Sequence, residues 1–356
     1  MKKIDHLFLF LTGLSAALFM ACSTETVPSF SAPTYDKGVL IVNEGNFLSG
    51  DGEISHYDPD TEVLTNNLYQ EANGVVLAAY IEELRIFGEK AYIVGNSNGT
   101  AKVVAVDKAS FAETGRVEGL EIPRNLAVAG NRLFIADWGN YDDQGNYTNP
   151  NSFIAVTDIN GGDVLEKIAV SSRPQSIVEY KGDIFVACQD GKEVIKINPS
   201  AMEIVARQTY PGIPQEFLLH EGKLMLYSIS DQKIYLNEVN PATLQPAGQV
   251  YDIPNASQLL LDGDGEVIVL TSEFSSDYSF TENQILRFPL SGAGDITPVF
   301  QGKNLKGIGM DKAKQQLYIS DDNGIQGNGT VIITDMEGEE INKLEVGRVP
   351  AKFHFY

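Results

Sequence analysis

The chain holds few side chains able to do covalent or metal chemistry, and their spacing disperses them. The four histidines, His6, His56, His220 and His354, show no paired metal-ligand spacing. No Gly-x-Ser-x-Gly elbow occurs, and Cys188 ends an apolar run that reads as a buried strand, where a thiol is inert. Asp262-Gly263-Asp264-Gly265 suggests a calcium loop but lacks the later ligands and the terminal Glu, so it reads as a hairpin turn. Asp321-Asp322-Asn323 could hold a cation or accept hydrogen bonds from ligand amides. No catalytic residue, metal ligand or cofactor is assigned. A set of rings and amides remains: Phe47, Trp138, Tyr141, Tyr147, Phe274, Tyr278 and Phe280, with Asn43, Asn46, Asn140, Asn146 and Asn151. Flat rings with polar tips among amides suit non-covalent capture of a large, partly apolar, amide-rich ligand. In the competing reading the rings fold back to pin their own loops.

These residues need a scaffold, and the scaffold is written as a repeat. A short apolar, mostly β-prone run returns seven times, from Val39-Leu40-Ile41-Val42 to Leu317-Tyr318-Ile319-Ser320. Its second residue falls at 40, 92, 134, 185, 225, 268 and 318. Turn phrases such as Asp58-Pro59, Asn198-Pro199 and Asn240-Pro241 recur with the same count. A period of about 40–50 residues built from short strands predicts an all-β, seven-bladed β-propeller with four strands per blade. The first repeat lacks an innermost strand, while Ala351 to Tyr356 is a strand with nothing after it. The two deficits cancel if the C-terminal strand closes the first blade, which leaves no open edge.

Proline introduces several innermost strands, at Pro123, Pro174, Pro214, Pro254 and Pro350. The residues just after it, Arg124, Gln175, Gln215, Asn255 and, one further on, Lys352, are expected at one end of the channel. The long loops 137–152, 272–283 and 321–330, and the shorter 43–52, open on that end. Function sits on elaborated loops of a rigid scaffold. The candidate ligand-binding set is therefore Asn43, Asn46, Phe47, Arg124, Trp138, Asn140, Tyr141, Gln175, Gln215, Tyr278, Phe280, Asp321 and Asp322.

Lys2 and Lys3 followed by an apolar run from Leu7 to Ala21 read as an export signal over residues 1–21. The run ends in Ala21-Cys22, which resembles a lipoprotein signal-peptidase site; an ordinary signal peptide cut nearby is the alternative. Cys22 would then carry the lipid, residues 22–37 a Ser/Thr/Pro-rich tether, and residues 38–356 the propeller. The formal net charge of -22, with no basic stripe, argues against a nucleic-acid partner.

Gly38-Val39-Leu40-Ile41-Val42-Asn43-Glu44-Gly45-Asn46-Phe47, with Ile54-Ser55-His56-Tyr57-Asp58-Pro59 and the Ile122-Pro123-Arg124 and Arg173-Pro174 entrances, resembles the YncE-like propeller surface lipoproteins of Bacteroidota. That resemblance implies an outer-membrane lipoprotein that captures a nutrient, cobalamin or a related corrinoid, and passes it to a TonB-dependent transporter. Exported propellers of those bacteria that bind ferric siderophores keep the cargo open. A propeller enzyme of lactonase or quinoprotein type and a protein-interaction scaffold are the other classes.

Overall fold

The computed structural model describes residues 34–97, 100–142, 148–274 and 280–356. These form seven four-stranded antiparallel sheets arranged as a seven-bladed β-propeller. Within a blade the strands run inner to outer in chain order. Blade two is Tyr80–Phe87, Lys90–Ser97, Thr100–Asp107 and Glu113–Val117. Blade three begins at Pro123–Ala129, four at Pro174–Tyr180, five at Ile213–His220, six at Ala256–Leu261 and seven at Leu305–Asp311. The second strands are buried almost throughout, because adjacent blades cover both of their faces. The core is accordingly divided into separate apolar layers between neighbouring blades, such as Ile268, Ile308 and Ile319 between six and seven.

Blade one is the exception in chain order. Its inner strand is the C-terminal Pro350–Phe355, paired with Val39–Asn43, which pairs in turn with Glu53–Asp58 and Val63–Thr65. The register sets Leu40 against His354 and Ile41 against Phe353, so the chain ends close the ring as the complementary deficits require. Phe353 and Phe355 pack on Tyr318 of blade seven, with ring centroids 5.9 and 5.0 Å away. Gly307 admits this close approach: a Cβ there would lie 2.0 Å from the Ala351 carbonyl oxygen.

The chain is already seated at Tyr35. Its N–H donates to the Ala109 carbonyl at 2.8 Å, and its ring lies among His56 and Phe111. Ala109 belongs to the blade-two turn between Asp107 and Glu113, on the end of the ring opposite the long loops. Cys188 is buried at the end of its strand, and burial pushes its thiol pKa up. The Asp262 carboxylate accepts the N–H groups of Asp264 and Glu266, which makes that segment a hairpin turn.

Candidate functional site

Every inner strand carries one irregularity at the same height. The register slips by one residue between Ile81 and Glu83, Pro123 and Asn125, Pro174 and Ser176, Pro214 and Glu216, Ala256 and Gln258, and Leu305 and Gly307; opposite Val42/Asn43 it slips past Ala351. A bulge inserts a residue with no cross-strand partner and re-aims its side chain. The seven bulged residues are Glu82, Arg124, Gln175, Gln215, Ser257, Lys306 and Ala351, and all seven line one cavity of about 410 Å³ at the long-loop end of the channel. A second tier follows one residue later, with Glu83, Asn125, Ser176, Glu216, Gln258 and Lys352 in the same wall. This tier also ties blades together: Ser176 Oγ accepts from the Phe217 N–H at 3.1 Å and Gln258 Oε1 from the Ile308 N–H at 2.6 Å.

The charges in the mouth are paired. Arg124 bonds Glu82, and Lys306 lies 3.0 Å from Glu44, which also accepts from the Tyr80 hydroxyl at 2.7 Å. Glu83 is approached by Lys352 at 3.1 Å and Arg85 at 3.5 Å, and Arg85 reaches Glu216 at 3.6 Å. Burial pushes the Glu83 carboxyl up, but Arg85, Lys352 and His354 outweigh it and hold it below the usual carboxylate range. At Glu82 burial wins over Arg124, and that carboxyl is raised. Beside this ring stands Trp138, half-buried, with the Arg124 guanidinium 4.2 Å and the Arg173 guanidinium 5.2 Å from its ring centroid. Guanidinium groups held on an indole face are oriented by its quadrupole.

Residues 37–259 match the family described as Domain of unknown function (DUF5074). The chain belongs to that family. No curated protein matches it. Among solved structures it is similar to a quinonprotein alcohol dehydrogenase-like protein of Bacteroides thetaiotaomicron, with a TM-score of 0.65 and 11% identity over 90% of this chain and 79% of that one. A protein of Lactobacillus plantarum gives a TM-score of 0.63 at 14% identity, over 90% and 99% of the two chains. Hydrazine synthase of Kuenenia stuttgartiensis gives 0.54 at 19% identity, over 70% and 74%. At these identities the likeness is one of fold.

In this DUF5074 protein the sequence-derived candidates divide clearly. Arg124, Gln175 and Gln215 meet in the bulge ring. Trp138 stands beside it through its contact with Arg124; Asn140 and Tyr141 follow on the same blade-three loop, where the Asn140 N–H donates to Glu121 at 2.8 Å, a residue that Lys167 of the outer strand approaches. Phe47 is 49% exposed on the blade-one loop, edge-on to Tyr80 at 6.1 Å. Asn43 does not face the mouth: it is fully buried, and its amide donates to Glu53 at 2.7 Å and Ser55 at 2.9 Å. Asn46 caps its own loop, its side chain accepting from the Leu48 and Ser49 N–H groups. Asp321 and Asp322 likewise hold the turn that follows them, by accepting from Asn323 and Gly324. Tyr278 lies outside the described residues, as do Asn146 and Tyr147, and Phe280 is described only as the start of the strand Phe280–Pro289. Sequence reasoning missed Glu44, Tyr80, Glu82, Glu83, Ser257 and Lys306. The available signal was the Tyr80-Ile81-Glu82-Glu83 opening of a strand that should otherwise be apolar.

Proposed function

We propose that the protein is an exported lipoprotein, anchored through Cys22, that captures a bulky amide-rich nutrient at the bulge-ring mouth and hands it to a TonB-dependent outer-membrane transporter. The cargo proposed is cobalamin or a related corrinoid. One observation carries this reading. Seven blades each aim one bulged residue into a single cavity, the charges there neutralise one another, and amides and hydroxyls remain as the groups open to a ligand. Phe47, edge-on to Tyr80 of the cavity wall, and Trp138, stacked on Arg124, offer ring surface to an apolar macrocycle. The reading is binding without turnover, because Glu44, Glu82, Glu83 and Glu216 are each committed to a lysine or arginine. A calorimetric titration of the purified propeller with cyanocobalamin tests it. Saturable binding at micromolar concentration or tighter is expected. Absence of heat with cyanocobalamin, together with binding of a ferric siderophore, moves the cargo; turnover of a lactone replaces capture with catalysis.

A further inference from the structure

Below its two polar tiers the channel changes character. A third tier lies three residues beyond each bulge, and most of it is apolar or small: Ala127, Val178, Leu218, Leu260 and Gly309. Arg85 and His354, on the adjacent blades two and one, complete it. The tier lines a waist of about 230 Å³ and, at the end opposite the long loops, a cavity of about 810 Å³. The two spaces share Arg85, Met310, Phe353 and His354 in their walls. The fold does not demand this lining. A strand that packs on one face and meets water on the other alternates apolar with polar residues. Ile177, Phe217 and Leu259 already fill the buried positions between blades. Each is followed by a further apolar residue, Val178, Leu218 or Leu260, that keeps part of its surface open. At the rim of the larger cavity Leu219 is 61% and Tyr356 41% exposed.

We propose that this lower half of the channel is a second binding site, for an uncharged, mainly apolar small molecule with one hydrogen-bonding group. It goes beyond the capture reading and does not rest on it, since Glu83, Arg85 and Lys352 stand between this space and the mouth. A concave, mostly apolar space of this size with few polar groups is what holds a small molecule. The charges decide against an ion. Arg85 is committed to Asn125 at 3.0 Å and to Glu83 and Glu216. Lys312 shares the outer wall with Asp311 and Glu179, so no net positive charge awaits an anion, and the field of the acidic chain repels one. Those two carboxylates accept from backbone N–H groups, Glu179 from Gly182 and Asp311 from Ala313 and Lys314, so a cation finds them engaged. What stays open is His354 Nε2. It is shielded from solvent and stands 3.5 Å from Glu83 Oε1, too far for a good hydrogen bond. A neutral imidazole nitrogen donates or accepts according to its tautomer, so a hydroxyl, amine or carbonyl on the ligand can meet it.

The test is a fluorescence titration of the purified protein with N-phenylnaphthylamine, a neutral aromatic amine that brightens in apolar surroundings. Its sulfonated relative, anilinonaphthalene sulfonate, is the anionic reference. Saturable binding of one equivalent of the neutral probe is expected, with the sulfonate about 10-fold weaker or worse. Leu219→Asp, at an exposed position of the cavity rim, should weaken the neutral probe about 10-fold while the melting temperature holds. His354→Phe keeps a ring and removes the nitrogen, and should weaken it about 5-fold. Gln175→Ala, in the mouth, should leave it unchanged. No fluorescence gain, unsaturable uptake of several equivalents, or equal binding of the sulfonate overturns the proposal. So does loss of the probe in Gln175→Ala with full binding in Leu219→Asp, which places it in the mouth, and so does unchanged affinity in His354→Phe. Cyanocobalamin added in excess should not displace the probe. A protein that binds the probe in this pattern and no corrinoid has lost the cargo reading and kept the second site.

Discussion

Removing residues 350–356 should open the propeller. The perturbation takes away the inner strand of blade one and uncovers the ladder of Val39–Asn43, all five residues of which are buried. Two losses can be sized. Phe353 and Phe355 are part-buried against Tyr318, and each contributes about 1 kcal/mol, half of full burial. Backbone groups of Val39–Asn43 lose their partners, at about 1–3 kcal/mol for each that stays shielded from water. Together the loss is about 5 kcal/mol or more, against a total stability of about 5–15 kcal/mol for a folded domain. At ~2 °C per kcal/mol for a chain this long, the melting temperature should fall by about 10 °C. The milder Phe355→Ala should lower it by only ~2 °C, because the ring stays closed. Calorimetry of the truncated and full proteins, with circular dichroism to follow the sheet, measures both. A truncated protein melting within ~3 °C of the parent would show that the C-terminal strand is an ornament of blade one, and the closure argument would be wrong.

Glu83→Gln should lower stability by about 3 kcal/mol at neutral pH, since it leaves Arg85 and Lys352 short of a buried counter-charge. The Glu83 carboxyl is held below its ordinary 4.5 in the folded state, so its contribution is complete above that value and is lost as pH falls through the folded one. Acid denaturation should thus be steeper in the parent than in Glu83→Gln, by urea melts across pH 2–6 (a range set by ~4 for a free carboxyl). Trp138→Ala should weaken cyanocobalamin binding about 30-fold by calorimetry and leave the melting temperature nearly unchanged; equal affinity removes Trp138 from the site. Cys22→Ser should move the protein from the membrane fraction to the soluble one without changing its affinity, and persistence at the membrane contradicts lipidation. Corrinoid affinity should shift by less than about 2-fold between low and high salt, because exposed, unpaired charges are what salt screens.

The blade count, the closure and the end of the channel that carries the cavity were legible because each rests on periodic burial. A strand covered on both faces must be apolar, and seven such runs can be counted. The cavity lining was legible where proline marked it. Arg124, Gln175 and Gln215 each follow a proline directly, and each proved to be the bulged residue of its blade. Blades two and seven have no proline there, so Glu82 and Lys306 went unread although they occupy equivalent bulges. In blade six the proline sits three residues before the bulge, so Asn255 was expected at the channel end where Ser257 lines the cavity. Asn43 misled for a different reason. An amide at the top of a second strand points into the blade, where Glu53 and Ser55 satisfy it, and sequence type alone does not reveal which partner it finds.

The electrostatics of the mouth bear on what it can select. The chain as a whole is strongly acidic, at -22, and its long-range field repels anions. In the mouth and the channel just below it Arg85, Arg124, Lys306 and Lys352 stand against Glu44, Glu82, Glu83 and Glu216, so these pairs sum to zero. A multiply anionic ligand would have to displace these carboxylates from their partners, and breaking a buried pair costs about 3–5 kcal/mol. A ligand that is neutral overall faces no such requirement. It needs only donors and acceptors that match Gln175, Gln215 and Ser257, and a face that rings can cover. The paired charges then serve as a rigid frame for the bulges, holding the hydrogen-bonding groups in place before the ligand arrives. Fixed hydrogen-bond geometry in a neutralised cup distinguishes this arrangement from an electrostatic trap, and under the capture role proposed above it favours an amide-rich cargo over an anionic chelate.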